Sequence, residues 1–195
     1  MKLIIASNNK HKIYEIKTIL KDRFDGILSL GEAGIAHETV EDGETFLENA
    51  EKKAREIAEI SGCAALADDS GICADALGGK PGVYSARFAG AHGDDLANNR
   101  LLVQMLKDKE DKSAHYTAAI VICFPNGEKI SAEGHMYGSI IDTPRGERGF
   151  GYDPHFVPLG ESRTVAEMSD EEKNAISHRG EALRKIVELL DKRGY

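Results

Sequence analysis

Short apolar runs and helical periodicities alternate along the first part of the chain. The residues from Lys2 to Ala6 are apolar after the lysine, which is typical of a short buried strand. The polar residues Ser7-Asn8-Asn9 follow as a turn, and residues 11–20 then predict a helix. The apolar positions that carry its periodicity are Ile13, Ile16, Ile19 and Leu20. A strand, a turn and a helix in this order open an α/β unit.

A second helix and then a second strand are predicted further along the chain. Thr45 and Glu48 are spaced as a capping box, which predicts a helix that ends near Ser61-Gly62. Residues 63–67 then predict a buried strand that stops at the polar segment Asp68-Asp69-Ser70-Gly71.

The middle of the chain changes character. Residues 77–93 are rich in glycine and predict a loop, and Asp94 is placed to cap a following helix. Residues 116–124 and 128–137 predict the strands of a hairpin whose turn is Asn126-Gly127. We expect this hairpin and its flanking helix to form a second lobe, with a cleft between the lobes.

The last part predicts turns and then helices. Residues 146–158 are turn-rich, and Ser169 and Glu172 are spaced as another capping box. A final helix carries one apolar face made of Ala182, Leu183, Ile186, Val187 and Leu190. We therefore treat residues 1–195 as a single domain with two lobes.

Composition and charge exclude several classes of partner. Apolar residues make up 41% and charged residues 30%, as in globular proteins, and the formal net charge is −8. This charge argues against binding nucleic acid or an anionic membrane surface, but not against a small anion. No signal peptide or membrane span is visible, so a cytoplasmic location is expected. Cys63, Cys73 and Cys123 form no metal or disulfide pattern and predict buried reduced thiols.

A phosphate-binding segment is predicted at the first strand-to-helix turn. A helix N-terminus presents unpaired N–H groups and the positive end of the helix dipole to an anion. The polar residues there are Ser7, Asn8, Asn9, Lys10, His11 and Lys12. Ser7 and Asn9 can hydrogen-bond phosphate oxygens, and Lys12 can supply a positive charge. The alternative is a capped helix with solvated lysines.

A metal-binding pair of carboxylates is predicted around the second strand. Adjacent residues of a strand point to opposite faces, so only one of Asp68 and Asp69 needs to face a ligand. Mg²⁺ takes one or two carboxylates together with substrate phosphates and waters, and Glu41 is the second candidate ligand. The alternatives are a solvated acidic turn for Glu41 and a side-chain turn for Asp68.

Base-binding chemistry is concentrated near the C-terminus. Phe150, Gly151, Tyr152 and Asp153 combine an aromatic face for stacking with a carboxylate that can accept from ring N–H groups. The alternative is a loop whose aromatic rings fill the core. His178 and Arg179 can donate to base or phosphate oxygens, and Lys173 precedes them on the chain.

Phosphate, metal and base sites together match a nucleoside triphosphate, and the blocks that carry them resemble one family. The chain resembles the inosine triphosphate pyrophosphatases, which act on non-canonical purine nucleoside triphosphates such as dITP and XTP. The matching blocks are residues 7–12, 45–50 with 53–54, 67–71, 77–79 with 81–88, 149–154 and 168–183. Asn8, where many members have glycine, and His155, where an aliphatic residue is usual, depart from the pattern.

The resemblance implies a fold, a reaction and a set of roles. The fold is an elongated, two-lobed α/β mixed sheet flanked by helices with a central substrate cleft, usually in a homodimer. The reaction is the Mg²⁺-dependent hydrolysis of XTP, dITP or ITP to the monophosphate and pyrophosphate. Asp69 is the general base and a metal ligand, Glu41 is the other ligand, and Ser70 lies at the substrate. Residues 7–12 with Lys173 bind the triphosphate, and residues 150–153 with His178 and Arg179 bind the purine.

Two other functions are compatible with the residues. One is a pyrophosphatase with a different base preference, for pyrimidine or modified nucleotides. The other is a non-enzymatic nucleotide sensor, which has no need for Asp69.

Overall fold

The computed structural model describes residues 1–194 and has a mixed α/β fold. The chain folds into two units, each packed mainly on itself. Among the described residues, unit 1 comprises 1–69, 118–134 and 179–194, and unit 2 comprises 70–117 and 135–178. The predicted mixed sheet flanked by helices is confirmed, whereas the cleft and the two-lobed shape stay predictions. No helix within residues 1–194 is long and apolar enough to cross a membrane.

Six strands, five α-helices and four short 3₁₀ helices make up the regular structure of residues 1–194. The strands are β1 (Lys2–Ile5), β2 (Gly26–Ser29), β3 (Ala64–Ala74), β4 (Ser113–Cys123), β5 (Lys129–Ile140) and β6 (Phe156–Pro158). The helices are α1 (Lys10–Leu20), α2 (Phe46–Ser61), α3 (Asp95–Leu106), α4 (Asp170–Ile176) and α5 (His178–Arg193).

One six-stranded sheet holds all of these strands, in the order β2-β1-β3-β4-β5-β6. β1 pairs in parallel with both β2 and β3, while β5 and β6 pair antiparallel. The predicted hairpin is confirmed by its turn, where the Phe124 N–H donates to the Glu128 carbonyl at 2.9 Å and Gly127 has φ of 86°. The short strands β2 and β6 were not predicted, because runs of four and three residues carry too little periodicity.

Local capping chemistry begins the helices where the sequence predicts. Thr45 and Glu48 form a complete capping box at α2, as do Ser169 and Glu172 at α4. The Asp94 side chain accepts from the Ala97 N–H at the start of α3. These contacts involve residues close in sequence, which is why the sequence alone indicates them.

In unit 1 the pleat of the sheet separates two apolar clusters. Alternate residues of β1 and β3, including Leu3, Ile5 and Leu66, pack with side chains of α1 and α5. The intervening residues, such as Ile4 and Ala67, pack with α2. Successive strand side chains point to opposite faces, so one helix pair covers one face of this part of the sheet and α2 covers the other.

Unit 2 has its own apolar core. Residues of β3, α3, β4 and β5 form a buried cluster that also contains Tyr116, Tyr152 and Phe156. Tyr116 and Phe156 meet edge to face, with ring centroids 4.9 Å apart.

The predicted end of β3 is wrong. The sequence places a turn at residues 68–71, but the strand continues through them to Ala74. Asp, Ser and Gly favour turns when their side chains must bond to nearby backbone. Here Asp68 and Asp69 bond to side chains of α1, α2 and α5 instead, and Gly71 lies against Ser85, where a Cβ would approach Oγ to 2.4 Å.

The cysteines are free thiols, as predicted, but only Cys123 is buried, while Cys63 and Cys73 are half-buried.

A buried ionic group links three elements of unit 1. The Arg179 guanidinium on α5, which is 1% exposed, donates from Nε to Asp68 Oδ2 at 2.9 Å and from Nη1 to Glu15 Oε2 at 2.6 Å. Lys12 Nζ lies 2.5 Å from Asp68 Oδ1. Burial alone would raise the pKa of Asp68, but Arg179 and Lys12 outweigh it and hold that pKa well below its usual range. Asp68 is therefore ionised in the core at neutral pH.

We predict that Arg179→Met lowers the free energy of unfolding by about 3–5 kcal/mol, because Asp68 and Glu15 lose a buried partner. Urea unfolding followed by circular dichroism measures it. The matched control is Arg163→Met, which removes an exposed arginine paired with Glu172 and should change stability little. Equal stability of the two variants would contradict this account of the core.

Candidate functional site

Asp69 points to the opposite face of β3 from Asp68. It is 7% exposed and faces α2, where Asn49 Nδ2 donates to Asp69 Oδ2 at 3.1 Å. Burial raises the pKa of Asp69, although the nearby Lys53 and Lys12 oppose that shift. A carboxylate with a raised pKa is a stronger base than an ordinary aspartate, which suits it to accept a proton.

Glu41 and Asp69 lie close together, and both contact the same lysine, Lys53. Lys53 Nζ is 2.8 Å from Glu41 Oε1 and 3.6 Å from Asp69 Oδ1, and it also donates to the Asp68 carbonyl at 3.0 Å. Burial alone would lower the pKa of Lys53, but Asp69 and Glu41 raise it, so the ammonium stays charged. Its charge offsets the repulsion between the two carboxylates.

The segment that carries Glu41 is held by the start of α2. Asn49 Oδ1 accepts from the Gly43 N–H at 2.8 Å, so the same amide joins this segment to Asp69. A Cβ at Gly43 would lie 2.7 Å from Asn49 Oδ1, which requires glycine at this close approach. Glu48 accepts from the N–H groups of Glu44 and Thr45. Helix capping therefore fixes the loop beside the carboxylates.

The donor set suits a hard divalent cation. Asp69 and Glu41 supply carboxylate oxygens, and both already contact the Lys53 ammonium, which shows that the pair attracts positive charge. Within residues 1–194 no three His, Cys, Asp or Glu side chains are grouped to hold a metal. Two carboxylates are nevertheless enough for Mg²⁺, which usually keeps waters and substrate phosphates as its other ligands.

The predicted phosphate segment forms the start of α1. Asn9 is the N-cap residue, and its Oδ1 accepts from the N–H groups of His11 and Lys12 at 3.0 and 3.2 Å. The Asn9 N–H donates to Ser7 Oγ at 3.1 Å. Asn8, Lys10 and His11 are exposed. The helix N-terminus is confirmed as a structural element, and phosphate binding there stays a prediction.

In unit 2 the Asp153 carboxylate holds residues 150–153, which we call the predicted base-binding segment. It accepts from the Phe150 N–H at 3.0 Å, from Lys173 Nζ at 3.0 Å and from the Tyr116 hydroxyl at 3.2 Å. Burial, then the Asp153 charge, raises the pKa of Tyr116, so its hydroxyl stays protonated and donates. Asp153 therefore shapes the segment, and its predicted contact with a purine remains a prediction.

The aromatic residues of this segment divide into two kinds. Tyr152 is buried in the core of unit 2 and donates from its hydroxyl to the Ser85 carbonyl at 2.8 Å. Phe150 is half-buried, and Lys173 Nζ lies 4.7 Å from its ring centroid. Phe150 thus keeps an accessible surface for stacking, while Tyr152 fills the core as the alternative interpretation expects.

His178 and Lys173 belong to the same cluster of unit 2. The His178 imidazole stacks on the Tyr116 ring, with centroids 4.7 Å apart and planes 8° apart. Lys173 is buried beside Asp153 and Phe150, two of the residues predicted to bind the base. Its predicted role towards the triphosphate remains untested.

Arg179 and Ser70 complete the predicted set. Arg179 lies in the buried ionic group and pairs there with Asp68 and Glu15, which gives it a structural role in unit 1. Its role as a donor to the purine stays a prediction. Ser70 follows Asp69 in β3 and is half-buried.

Three residues at the site had no role in the sequence analysis. Lys53 and Asn49 contact Asp69, and Glu15 contacts Arg179. Lys53 and Asn49 fall inside blocks that carry the family resemblance, which was the one available signal. Their contacts depend on α2 packing against β3.

Comparison with known proteins identifies the family of this chain. The Ham1 family model matches residues 3–189. A dITP/XTP pyrophosphatase of Clostridium perfringens is 50% identical, with 97% of each chain covered. A protein of the same name from Bacillus subtilis is 45% identical, with 96% of each covered.

Solved structures agree as well. The Staphylococcus aureus Ham1 protein has a TM-score of 0.90 at 36% identity, covering 99% of this chain and all of that one. A nucleoside-triphosphatase / dITP/XTP pyrophosphatase from Mycobacterium abscessus has a TM-score of 0.79 at 44% identity, covering 97% of this chain and 99% of that one. The resemblance seen in the sequence is thereby confirmed, and this chain belongs to the Ham1 family.

Proposed function

We propose that this protein is an enzyme that hydrolyses XTP, dITP and ITP to the nucleoside monophosphate and pyrophosphate, and so removes these purine nucleotides from the nucleotide pool. The observation that carries the proposal is the buried Asp69 carboxylate with a raised pKa beside Glu41 and Lys53. The names of the relatives supply the substrate class.

The proposed reaction is attack of water on the α-phosphorus. Asp69 accepts a proton from the water, and the water oxygen forms a bond to the α-phosphorus. The bond between the α-phosphorus and the bridging α–β oxygen breaks. Pyrophosphate leaves with the electron pair of that bond. Asn49 keeps the Asp69 carboxylate oriented through its 3.1 Å hydrogen bond.

We propose that Asp69 and Glu41 hold Mg²⁺ together with phosphate oxygens of the substrate. When bound, the ion neutralises negative charge that develops on the phosphates and the leaving group. Lys53 keeps the two carboxylates close together through its contacts with both.

Phosphate binding is proposed for residues 7–12 and Lys173. The first turn of α1 has no acidic residue, so the positive end of its dipole favours an anion. Lys12 is already paired with Asp68 in unit 1, which holds its ammonium close to the strand that carries Asp69.

Base recognition is proposed for Phe150–Asp153, His178 and Arg179. Phe150 offers a half-buried ring for stacking, and Asp153 and His178 supply polar groups in the same unit. Hypoxanthine and xanthine share an oxo group at the six position where adenine has an amino group. Guanine carries the same oxo group, so it must be excluded through its 2-amino group, by a clash or a missing acceptor. Donors aimed at the six-position oxygen bind hypoxanthine and xanthine and leave adenine's amino group unpaired. Such a mismatch can discriminate between bases by about 10⁴.

We further propose that the enzyme is a single two-lobed domain that forms a homodimer and works in the cytoplasm. The family resemblance supports the lobes and the dimer, and the proposed clearing of the nucleotide pool supports the cytoplasm.

We predict that XTP, dITP and ITP release pyrophosphate far faster than ATP, GTP or pyrimidine triphosphates, and only with Mg²⁺. A panel of triphosphates, assayed for pyrophosphate with and without Mg²⁺, measures it. Preferred turnover of a pyrimidine or modified nucleotide would favour a different pyrophosphatase. Nucleotide binding without any turnover would favour a sensor.

We predict that Glu41→Gln raises the Mg²⁺ concentration needed for half-maximal activity by about tenfold or more, because one anionic ligand is lost. Titrating activity against Mg²⁺ at saturating substrate measures this value. The control is Asp42→Asn, which changes the neighbouring exposed carboxylate that pairs with Lys52. An unchanged Mg²⁺ requirement in Glu41→Gln would remove Glu41 from the metal site.

A further inference from the structure

We propose that Asp95 and Asn99 on α3 are positioning residues that hold Gly151, and that they thereby keep Phe150 in the orientation that binds the purine. The proposal rests on the function proposed above and adds two residues to the determinants of substrate affinity. We refer to Asp95 and Asn99 together as the Gly151 anchor.

Both polar backbone groups of Gly151 are bonded to this one turn of helix. The Gly151 N–H donates to Asp95 Oδ2 at 2.7 Å, and the Gly151 carbonyl accepts from Asn99 Nδ2 at 2.8 Å. Asn99 Nδ2 also donates to the backbone carbonyl of Asp95 at 2.7 Å. Residues four apart lie on the same face of a helix, so the two side chains and the Gly151 peptide groups form a closed ring of hydrogen bonds.

Gly151 needs such a restraint because of its conformation. Its φ is +62°, in the left-handed region that glycine visits readily and other residues avoid. Glycine also adopts many other conformations at similar energy, and each of them would direct the Phe150 ring elsewhere. The Gly151 anchor selects one conformation.

The residues on either side of Gly151 show what the anchor positions. Tyr152 is already held by its core packing and by its bond to the Ser85 carbonyl. Phe150 is half-buried, and Lys173 Nζ lies over its ring, 4.7 Å from the centroid. Gly151 is therefore the joint between a residue fixed in the core and the ring proposed to stack on the base.

The Asn99 side chain has an unpaired oxygen, which indicates that the residue is needed for the two hydrogen bonds that its nitrogen donates. Asn99 is 7% exposed, and its Oδ1 is buried with no hydrogen-bond partner among residues 1–194. An unpaired buried acceptor is unfavourable, and an apolar side chain would avoid it. The orientation of the amide follows from its contacts, since both neighbouring backbone groups are carbonyls and only Nδ2 can bond to them.

The neighbouring Asn98 provides a matched control. It is also buried in α3, but its Oδ1 accepts from the Ala89 N–H at 2.8 Å and its Nδ2 donates to the Ala86 carbonyl at 3.3 Å. Asn98 therefore bonds to the loop that precedes α3, and Asn99 bonds to the base-binding segment.

The test compares Asn99→Leu, Asp95→Ala, Asp95→Asn and Asn98→Leu by steady-state pyrophosphate release from XTP. We expect Asn99→Leu and Asp95→Ala to raise KM by about tenfold while kcat stays within about twofold, since each loses a hydrogen bond that positions the base-binding segment. Inhibition by inorganic tripolyphosphate, which lacks a base, should be unchanged in both. Asp95→Asn, which keeps an oxygen acceptor, should restore KM, and Asn98→Leu should leave it unchanged.

The outcomes separate this inference from the proposed function. A wild-type protein that releases no pyrophosphate from XTP, dITP or ITP would overturn both. Normal wild-type turnover, with KM unchanged in Asn99→Leu and Asp95→Ala, would overturn the Gly151 anchor alone. An equal rise of KM in Asn98→Leu, or weaker tripolyphosphate inhibition in the anchor variants, would also overturn it, because either result indicates general damage to the unit. If Asn99→Leu does not fold, the comparison of Asp95→Ala with Asp95→Asn decides the question.

Discussion

The alternation of side chains along β3 gives two neighbouring aspartates opposite surroundings. Asp68 faces α1 and α5, where Arg179 and Lys12 keep it ionised, and Asp69 faces α2, where burial raises its pKa. A single step along a strand turns a side chain to the other face of the sheet. One carboxylate thereby stabilises the core while its neighbour stays available for chemistry.

The surroundings of each carboxylate depend on packing that the same strand organises. Apolar residues just before Asp68 and Asp69 in β3 pack with α5 and α1 on one face and with α2 on the other. Those helices carry Arg179 and Lys12 to Asp68 and Lys53 and Asn49 to Asp69. The core that stabilises unit 1 therefore also sets the charges around the proposed general base, so mutations in these helices can alter activity without touching substrate.

Buried charges are balanced locally in both units, so the net charge of the chain does not describe the surroundings of a bound ligand. The formal net charge is −8, yet Lys53 lies between Glu41 and Asp69 in unit 1, and Lys173 lies beside Asp153 in unit 2. Over distances longer than about 8–10 Å, exposed charges are largely screened by salt. The groups close to a small ligand therefore matter more to its binding than the surplus of acidic residues on the surface.

The features that could be predicted from the sequence are those whose chemistry is local. Capping boxes such as Thr45 with Glu48 and the Asn126-Gly127 hairpin turn depend on residues close in sequence. The continuation of β3 through Asp69 could not be predicted, because it depends on partners brought by other elements. Arg179 and Glu15 are 164 residues apart, and their contact appears only when α5 packs beside α1. The Gly151 anchor likewise joins α3 to a distant loop.

The most direct test of the account compares Asp68→Asn with Asp69→Asn, two identical changes at adjacent positions. The measurements are kcat for pyrophosphate release from XTP and the free energy of unfolding in urea. We expect Asp69→Asn to lower kcat by about a thousandfold with little loss of stability. We expect Asp68→Asn to lose about 3–5 kcal/mol of stability, because Arg179 and Lys12 lose their anion, while the folded protein keeps kcat within severalfold. A stable Asp68→Asn without activity, or an Asp69→Asn with wild-type kcat, would contradict the division of roles between the two faces of β3.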